Sequence, residues 1–271
     1  MLGEITLGQY YPADSVIHRL DPRVKFVGTL TFIVALFLVK GFLGYVMVTL
    51  FLLGVIKAST VPFGMMLRGM KAIIFILLIT AVFNVFLTPG EIVLVKVWKL
   101  TITREGVLQA VRMAVRLIYL VIGSSLMTLT TTPNSLTDGM EALFSPLKVI
   151  HVPVHEIAMM MSIALRFIPI LTEETDRIMK AQIARGADFK TGSFINRIKN
   201  MVPLLVPLFV SAFQRANDLA MAMEARCYHG GEGRTRMKPL RYTAADRVGY
   251  LVLALFLAAA ILLRIFGGGW I

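Results

Sequence analysis

The chain of 271 residues is 57% hydrophobic, has a mean hydropathy of +0.75, and carries only 16% charged residues. A soluble domain carries about 25%, so this balance points to a membrane protein. The formal charge of +12, from 28 Lys and Arg against 16 Asp and Glu, suits an anionic lipid surface or an acidic protein partner, and apolar content this high argues against nucleic acid.

The first two dozen residues, MLGEITLGQYYPADSVIHRLDPRV, lack the basic start and the apolar core of about 7 to 15 residues that a cleavable signal peptide needs. The N-terminus is therefore expected to remain and to face the cytoplasm. A spanning helix takes roughly 20 mostly apolar residues. Residues 26–39 and 42–56 read as the first two spans, divided at Lys40-Gly41, where glycine lets the chain reverse at little steric cost. A third, 72–87, ends at Thr88-Pro89-Gly90. The stretch EIVLVKVWKLTITREG then alternates apolar and polar residues at period two, as a short hairpin does, and is expected to form an external lid. The fourth span is 107–130, and the fifth, 250–266, runs out at Gly267-Gly268-Gly269.

Positive charge follows this map. Arg19, Arg23 and Lys25 precede the first span, Lys57, Arg68 and Lys71 lie between the second and third, and fifteen more Lys and Arg fall between Thr131 and Arg247. The other side receives Lys40, Lys96, Lys99 and Arg104, with Arg112 and Arg116 in the outer half of span four. Five spans with the N-terminus inside and the C-terminus outside satisfy the rule. The expected organisation is 1–130 for the N-terminal segment and spans one to four, 131–246 for a cytoplasmic helical domain, and 247–271 for the last span.

The segment 131–246 holds two similar blocks. One runs from His155 to Ala184-Arg185-Gly186, the other from Phe194 to Ala225-Arg226-Cys227, and the two arginines stand 41 positions apart. Each block starts apolar, carries proline in its first half, turns polar and closes on Ala-Arg plus a small residue. Ile170, Leu171, Ile178, Met179 and Ile183 recur at helical spacing, so two long helices related by a quasi-repeat are expected. In the second, MVPLLVPLFVSAF at 201–213 is too short to span and holds Pro203 and Pro207, which places it at the membrane interface or under the spans. If it did span, Arg226 would lie on the opposite side from Arg185.

Glycine after the last turn suits the left-handed conformation that ends a helix, and arginine there interacts with the helix dipole by about 0.3 to 1 kcal/mol. Either end alone needs no more than that. Two alike suggest display, because a guanidinium at a helix tip is a five-donor fork suited to a partner's carboxylates and backbone carbonyls.

Other motifs read as structure. Gly64 to Lys71 has the glycine spacing of a phosphate loop, but Met70 stands where the lysine belongs. His151, His155 and Glu156 in HVPVHE are split by Pro153, so one helix through both imidazoles is not expected and the stretch reads as a polar turn. Cys227 is the only cysteine, which excludes an intramolecular disulfide and an all-cysteine metal site. Met159-Met160-Met161 reads as adaptable apolar surface. Gly41, Gly44, Gly54, Gly123, Ser124 and Ser125 read as residues that let helices approach in lipid. Glu173, Glu174, Asp176 and Arg177 read as a solvated or intrachain-paired face.

Ala184-Arg185-Gly186 and Ala225-Arg226-Cys227 resemble the paired Ala-Arg-Gly signatures of the transmembrane T component of energy-coupling factor (ECF) transporters, the EcfT/CbiQ family. Ser15-Val16-Ile17-His18-Arg19-Leu20-Asp21-Pro22-Arg23-Val24-Lys25 resembles that family's N-terminal Ser-x-x-His-x-x-Asp-Pro-Arg-x-Lys stretch. Cys227 in place of the second glycine is the departure, and it bears on how tightly that helix ends. The resemblance implies an all-α integral membrane protein of about five transmembrane helices plus two long crossed cytoplasmic coupling helices. It implies no catalysis, no cofactor and no metal. Its partners would be two ABC-type ATPase subunits, docked on Ala184, Arg185 and Gly186 and on Ala225, Arg226 and Cys227, and a membrane-embedded S component that captures a vitamin or metal ion. The setting would be the inner or plasma membrane. Two other readings are a conventional ABC-importer permease with its own translocation path and an intramembrane metallohydrolase using His151, His155 and Glu156.

Overall fold

The computed structural model describes residues 10–39, 41–89, 92–97, 100–187, 194–231, 237 and 239–266. Lys40, Gly90, Lys99 and the Gly267-Gly268-Gly269 end expected above lie outside them. In chain order the elements are α1 (Val16–Arg19), α2 (Pro22–Leu38), α3 (Phe42–Ser59), α4 (Phe63–Leu87), β1 (Val93–Val97), β2 (Leu100–Thr103), α5 (Arg104–Thr130), α6 (Pro133–Phe144), a 3-10 turn (Ser145–Ile150), α7 (Val154–Ala184), α8 (Phe194–Ala225) and α9 (Ala244–Phe266). The chain divides into two compact units, one of residues 8–139 and 240–271, the other of residues 140–239.

In the first unit α2 packs against α5 and α9, and α4 against α5. Phe32, Leu36, Val48, Leu52, Leu126, Phe256 and Ala260 are buried at the centre. The rings of Phe32, Phe51 and Phe256 stack with centroids 4.0 to 6.3 Å apart. Small residues make this closeness possible. A Cβ on Gly123 would stand 2.5 Å from the Phe32 ring, and one on Gly44 would run into the Val39 side chain, whereas Gly54 faces open space. The outward faces are apolar, with Phe42 and Phe75 well exposed, as lipid contact requires of helices with no water to meet. The expected hairpin is present: β1 and β2 pair antiparallel with Val97 opposite Leu100. Thr103 then caps α5, its hydroxyl accepting from Gly106 N at 3.1 Å.

By length and composition α3, α5, α7 and α9 can each cross a membrane. The five expected spans instead counted α2, a 17-residue helix, and α4, whose apolar stretch is Ile73–Phe86, and left out α7. The difference lies in the first half of α7, where Glu156 and Arg166 are the only charges before Glu173. Its second half, rich in acids and bases, is unsuited to lipid.

In the second unit α7 and α8 pack together, and α8 continues through both Pro203 and Pro207. Met201, Val202, Leu205, Val206, Phe209, Val210 and Phe213 leave α8 with an exposed apolar face.

Candidate docking site: two arginine helix ends

Helices α7 and α8 end in the same way. At the first, Gly186 N donates to Ile183 O at 2.9 Å and Ala187 N to Gln182 O at 3.0 Å. At the second, Cys227 N donates to Glu224 O at 2.8 Å and Tyr228 N to Met223 O at 3.0 Å. Both are Schellman closures, in which two otherwise orphaned carbonyls of the last turn are satisfied by the chain that leaves it. The closure needs a left-handed residue directly after the arginine: φ is +88° at Gly186 and +52° at Cys227. Cysteine therefore takes glycine's place without changing the way the helix stops, at a cost of about 1 to 2 kcal/mol for a residue with a Cβ in this conformation. Cys227→Gly is expected to raise stability by about 0.5 to 1 kcal/mol, and Gly186→Ala to lower it by about 1 kcal/mol. Thermal unfolding in detergent measures both.

Arg185 and Arg226 are exposed, and neither is ion-paired among the described residues. Their placement follows from how the helices meet. Arg215 of α8 pairs with Glu174 of α7 at 3.3 Å, and the two are themselves 41 positions apart. The ion pair thus joins equivalent positions of the quasi-repeat, as a local two-fold relation demands. Gln182 Nε2 donates to Pro203 O at 3.3 Å, so positions rise along one helix as they fall along the other and the pair is antiparallel. Arg185 follows Glu174 by eleven residues, and Arg226 follows Arg215 by the same eleven. At 1.5 Å per residue each tip lies about 16 Å from the shared ion pair, in opposite directions, which leaves roughly 30 Å between the guanidinium-bearing ends.

The histidine motif is placed elsewhere. His151 is left-handed, with φ +60°, and ends the 3-10 turn, while α7 begins only at Val154. His155 Nδ1 lies 2.9 Å from Glu141 Oε1, and a Cβ on Gly231 would run into its imidazole. His155 is thus part of the packing under the segment that follows the second tip.

The N-terminal motif ties together the first unit. Ser15 caps α1, its hydroxyl accepting from His18 N at 3.3 Å and lying 2.7 Å from His18 Nδ1, while His18 Nε2 is 3.0 Å from Tyr11 O. Asp21 caps α2, accepting from Arg23 N at 2.8 Å, and Pro22 sits at the first helical position, where its missing N–H costs nothing. Lys25 Nζ donates to His18 O at 3.0 Å and to Thr130 O, at the end of α5, at 2.8 Å. The Arg23 guanidinium stands 4.9 Å from the Tyr242 ring centroid. On the surface Arg19 grips Asp14 through two bonds of 2.6 and 2.7 Å, and the guanidinium holds that carboxyl below the usual carboxylate range.

One residue here was missed in the sequence reading. Asp246, fully buried, accepts from Asp21 N at 2.8 Å and from Thr243 N and Thr243 Oγ1, each at 2.7 Å. Thr243-Ala-Ala-Asp246 is a capping-box pattern, legible as the start of α9.

Long apolar helices bundled through small residues, with two alike helix ends whose arginines are exposed, define a multi-pass membrane protein. Residues 13–237 match a family model described as cobalt transport protein, CbiQ. The energy-coupling factor transporter transmembrane protein EcfT of Clostridium kluyveri is 54% identical over 99% of this chain and 100% of its own length. Its namesakes from Thermosediminibacter oceani and Bacillus subtilis are 51% and 45% identical, over 96% and 97% of this chain and 98% of each relative. The chain belongs to the EcfT/CbiQ family and is a non-catalytic transmembrane component of an energy-coupling factor transporter.

Proposed function

We propose that this chain links two cytoplasmic ABC-type ATPases to a membrane-embedded S component and transmits ATP-driven motion between them for uptake of a vitamin or metal ion. The pair of matching Schellman ends carries the reading: each presents an exposed arginine with no ion-pair partner among the described residues, and the two stand equally far from the Glu174–Arg215 pair. Arg185, with Ala184 and Gly186, docks on one ATPase, and Arg226, with Ala225 and Cys227, on the other. A change in ATPase separation becomes a change in the angle between α7 and α8, a domain-scale motion on the microsecond-to-millisecond scale or slower. The exposed apolar face of α8, where the Phe209 and Phe213 rings lie 5.1 Å apart, supplies the surface that such a motion moves against the S component or the bilayer. The basic residues ahead of α2 favour a cytoplasmic N-terminus.

Cys227 provides a direct test, because it is exposed and is the only thiol in the chain. A short thiol-to-amine cross-linker on the purified complex is expected to join Cys227 to an ATPase, and absence of that product from an intact complex would sink the assignment. Vesicles containing this chain and the ATPases, with and without the S component, separate the reading from a conventional permease, which would take up substrate without it.

A further inference from the structure

Several buried polar side-chain atoms of the first unit have no hydrogen-bond partner among the described residues, Arg116 Nε and Tyr45 Oη among them, and these two have no place in the proposed coupling. Orphaned groups of this kind call for an ordered water, an ion or a ligand. Their surroundings place them together. Tyr119 Oη of α5 lies 2.6 Å from Thr49 Oγ1 of α3. One turn earlier on each helix stand Arg116 and Tyr45. Gly123 lies against Phe32, and Lys25 bonds Thr130 O, so α5 runs antiparallel to α2, as does α3 after the reversal at Gly41. Running in the same direction, α3 and α5 hold the two orphans at one level.

That level is the end of α2. The Arg116 guanidinium carbon stands 5.3 Å from the ring centroid of Phe37, the penultimate residue of α2. A helix of 17 residues is about 25 Å long, close to the ~30 Å of the hydrocarbon core, so its end lies where lipid headgroups begin. Phe37 is 56% exposed and Phe42, at the start of α3, 83%, so the place opens sideways to lipid. Arg112, one turn nearer the start of α5, is exposed and adds a second cation. Among the described residues no carboxylate pairs with either arginine.

We infer that Arg116, Tyr45 and Arg112 form a binding site for the phosphodiester of an anionic phospholipid at the end of α2. A phosphate accepts from the guanidinium fork and the phenol at once, and two arginines favour a headgroup with net negative charge. A bilayer supplies that group at this depth, whereas a partner's carboxylate would have to be brought to it. The bound lipid fixes the depth of α5 in the membrane.

The test uses the full chain, purified in mild detergent, stripped of lipid, and titrated with phosphatidylglycerol or phosphatidylcholine under native mass spectrometry. The wild-type chain is expected to hold one phosphatidylglycerol in preference to phosphatidylcholine and to keep it against excess inorganic phosphate. Arg116→Gln weakens that binding roughly tenfold, and Tyr45→Phe, which keeps the ring and so guards against misfolding, by roughly threefold. Equal retention of phosphatidylglycerol by wild type and both variants overturns the proposal. So does displacement by inorganic phosphate, or loss from Arg116→Gln of a copurifying membrane protein with lipid retention unchanged.

Discussion

Reversing the charge at either helix tip is expected to detach one ATPase while leaving the chain folded. Arg185→Glu and Arg226→Glu each replace an exposed guanidinium that has no pairing partner among the described residues, so thermal unfolding of the isolated chain should move little. Binding should suffer far more. Removing one partner of a buried, hydrogen-bonded charge pair at an interface costs about 2 to 5 kcal/mol, which is roughly a 30- to several-thousand-fold loss of affinity. The ratio of ATPase to tagged chain after affinity purification reads this directly. Because the tips stand roughly 30 Å apart, the two losses should be independent, and the double variant should lose both ATPases and all ATP-driven uptake. Wild-type ratios in both single variants would remove Arg185 and Arg226 from the docking surface.

The Glu174–Arg215 pair gives that arrangement its symmetry. A contact between residues 41 positions apart, in helices whose arginines are also 41 apart, makes the two arms equal by construction. Neither arm can lengthen without moving the tip away from the register of its twin. An insertion between Arg215 and Arg226 would therefore unbalance the pair, whereas one before Glu174 would leave the arms equal.

Much of this was legible in the sequence, and the remainder was hidden for identifiable reasons. Apolar length gave α2 to α5 and α9, period-two alternation gave the hairpin, and the glycine after Arg185 gave the end of α7. These are local signals, each contained within a few turns of chain. The left-handed geometry at Cys227 was not local in this sense, because cysteine carries no preference for it; only the repeat pointed there. Glu174 read as part of a solvated or paired face, with nothing to single out Arg215 among the cations. The first half of α7 read as apolar, but it was not counted as a span because the 31-residue helix turns polar in its second half. The stretch from Ser15 to Lys25 was legible through its resemblance to the family's N-terminal motif, but the residue that holds Asp21 at the start of α2 lies 225 positions later.

That residue carries the second large expected effect. Asp246→Ala should lower the stability of the chain by about 3 to 5 kcal/mol, the range for breaking a buried, hydrogen-bonded charged group. The carboxylate accepts from Asp21 N, Thr243 N and Thr243 Oγ1, and its removal leaves two backbone donors in a buried setting without acceptors. It also takes an anion away from the neighbourhood of Lys25, whose ammonium is itself partly buried. Asp246→Asn keeps the shape and one acceptor oxygen, and should cost about half as much. Thermal unfolding and detergent-resistant yield measure both. A drop confined to the alanine variant would show that hydrogen bonding rather than charge holds the turn, and no drop in either would mean that α9 is fastened to α2 by packing alone. The site matters to function through position: α9 enters the membrane unit at the same turn from which α2 departs and to which the end of α5 is tied by Lys25. Three helices of the membrane unit thus meet within hydrogen-bonding distance of one buried aspartate or the lysine beside it.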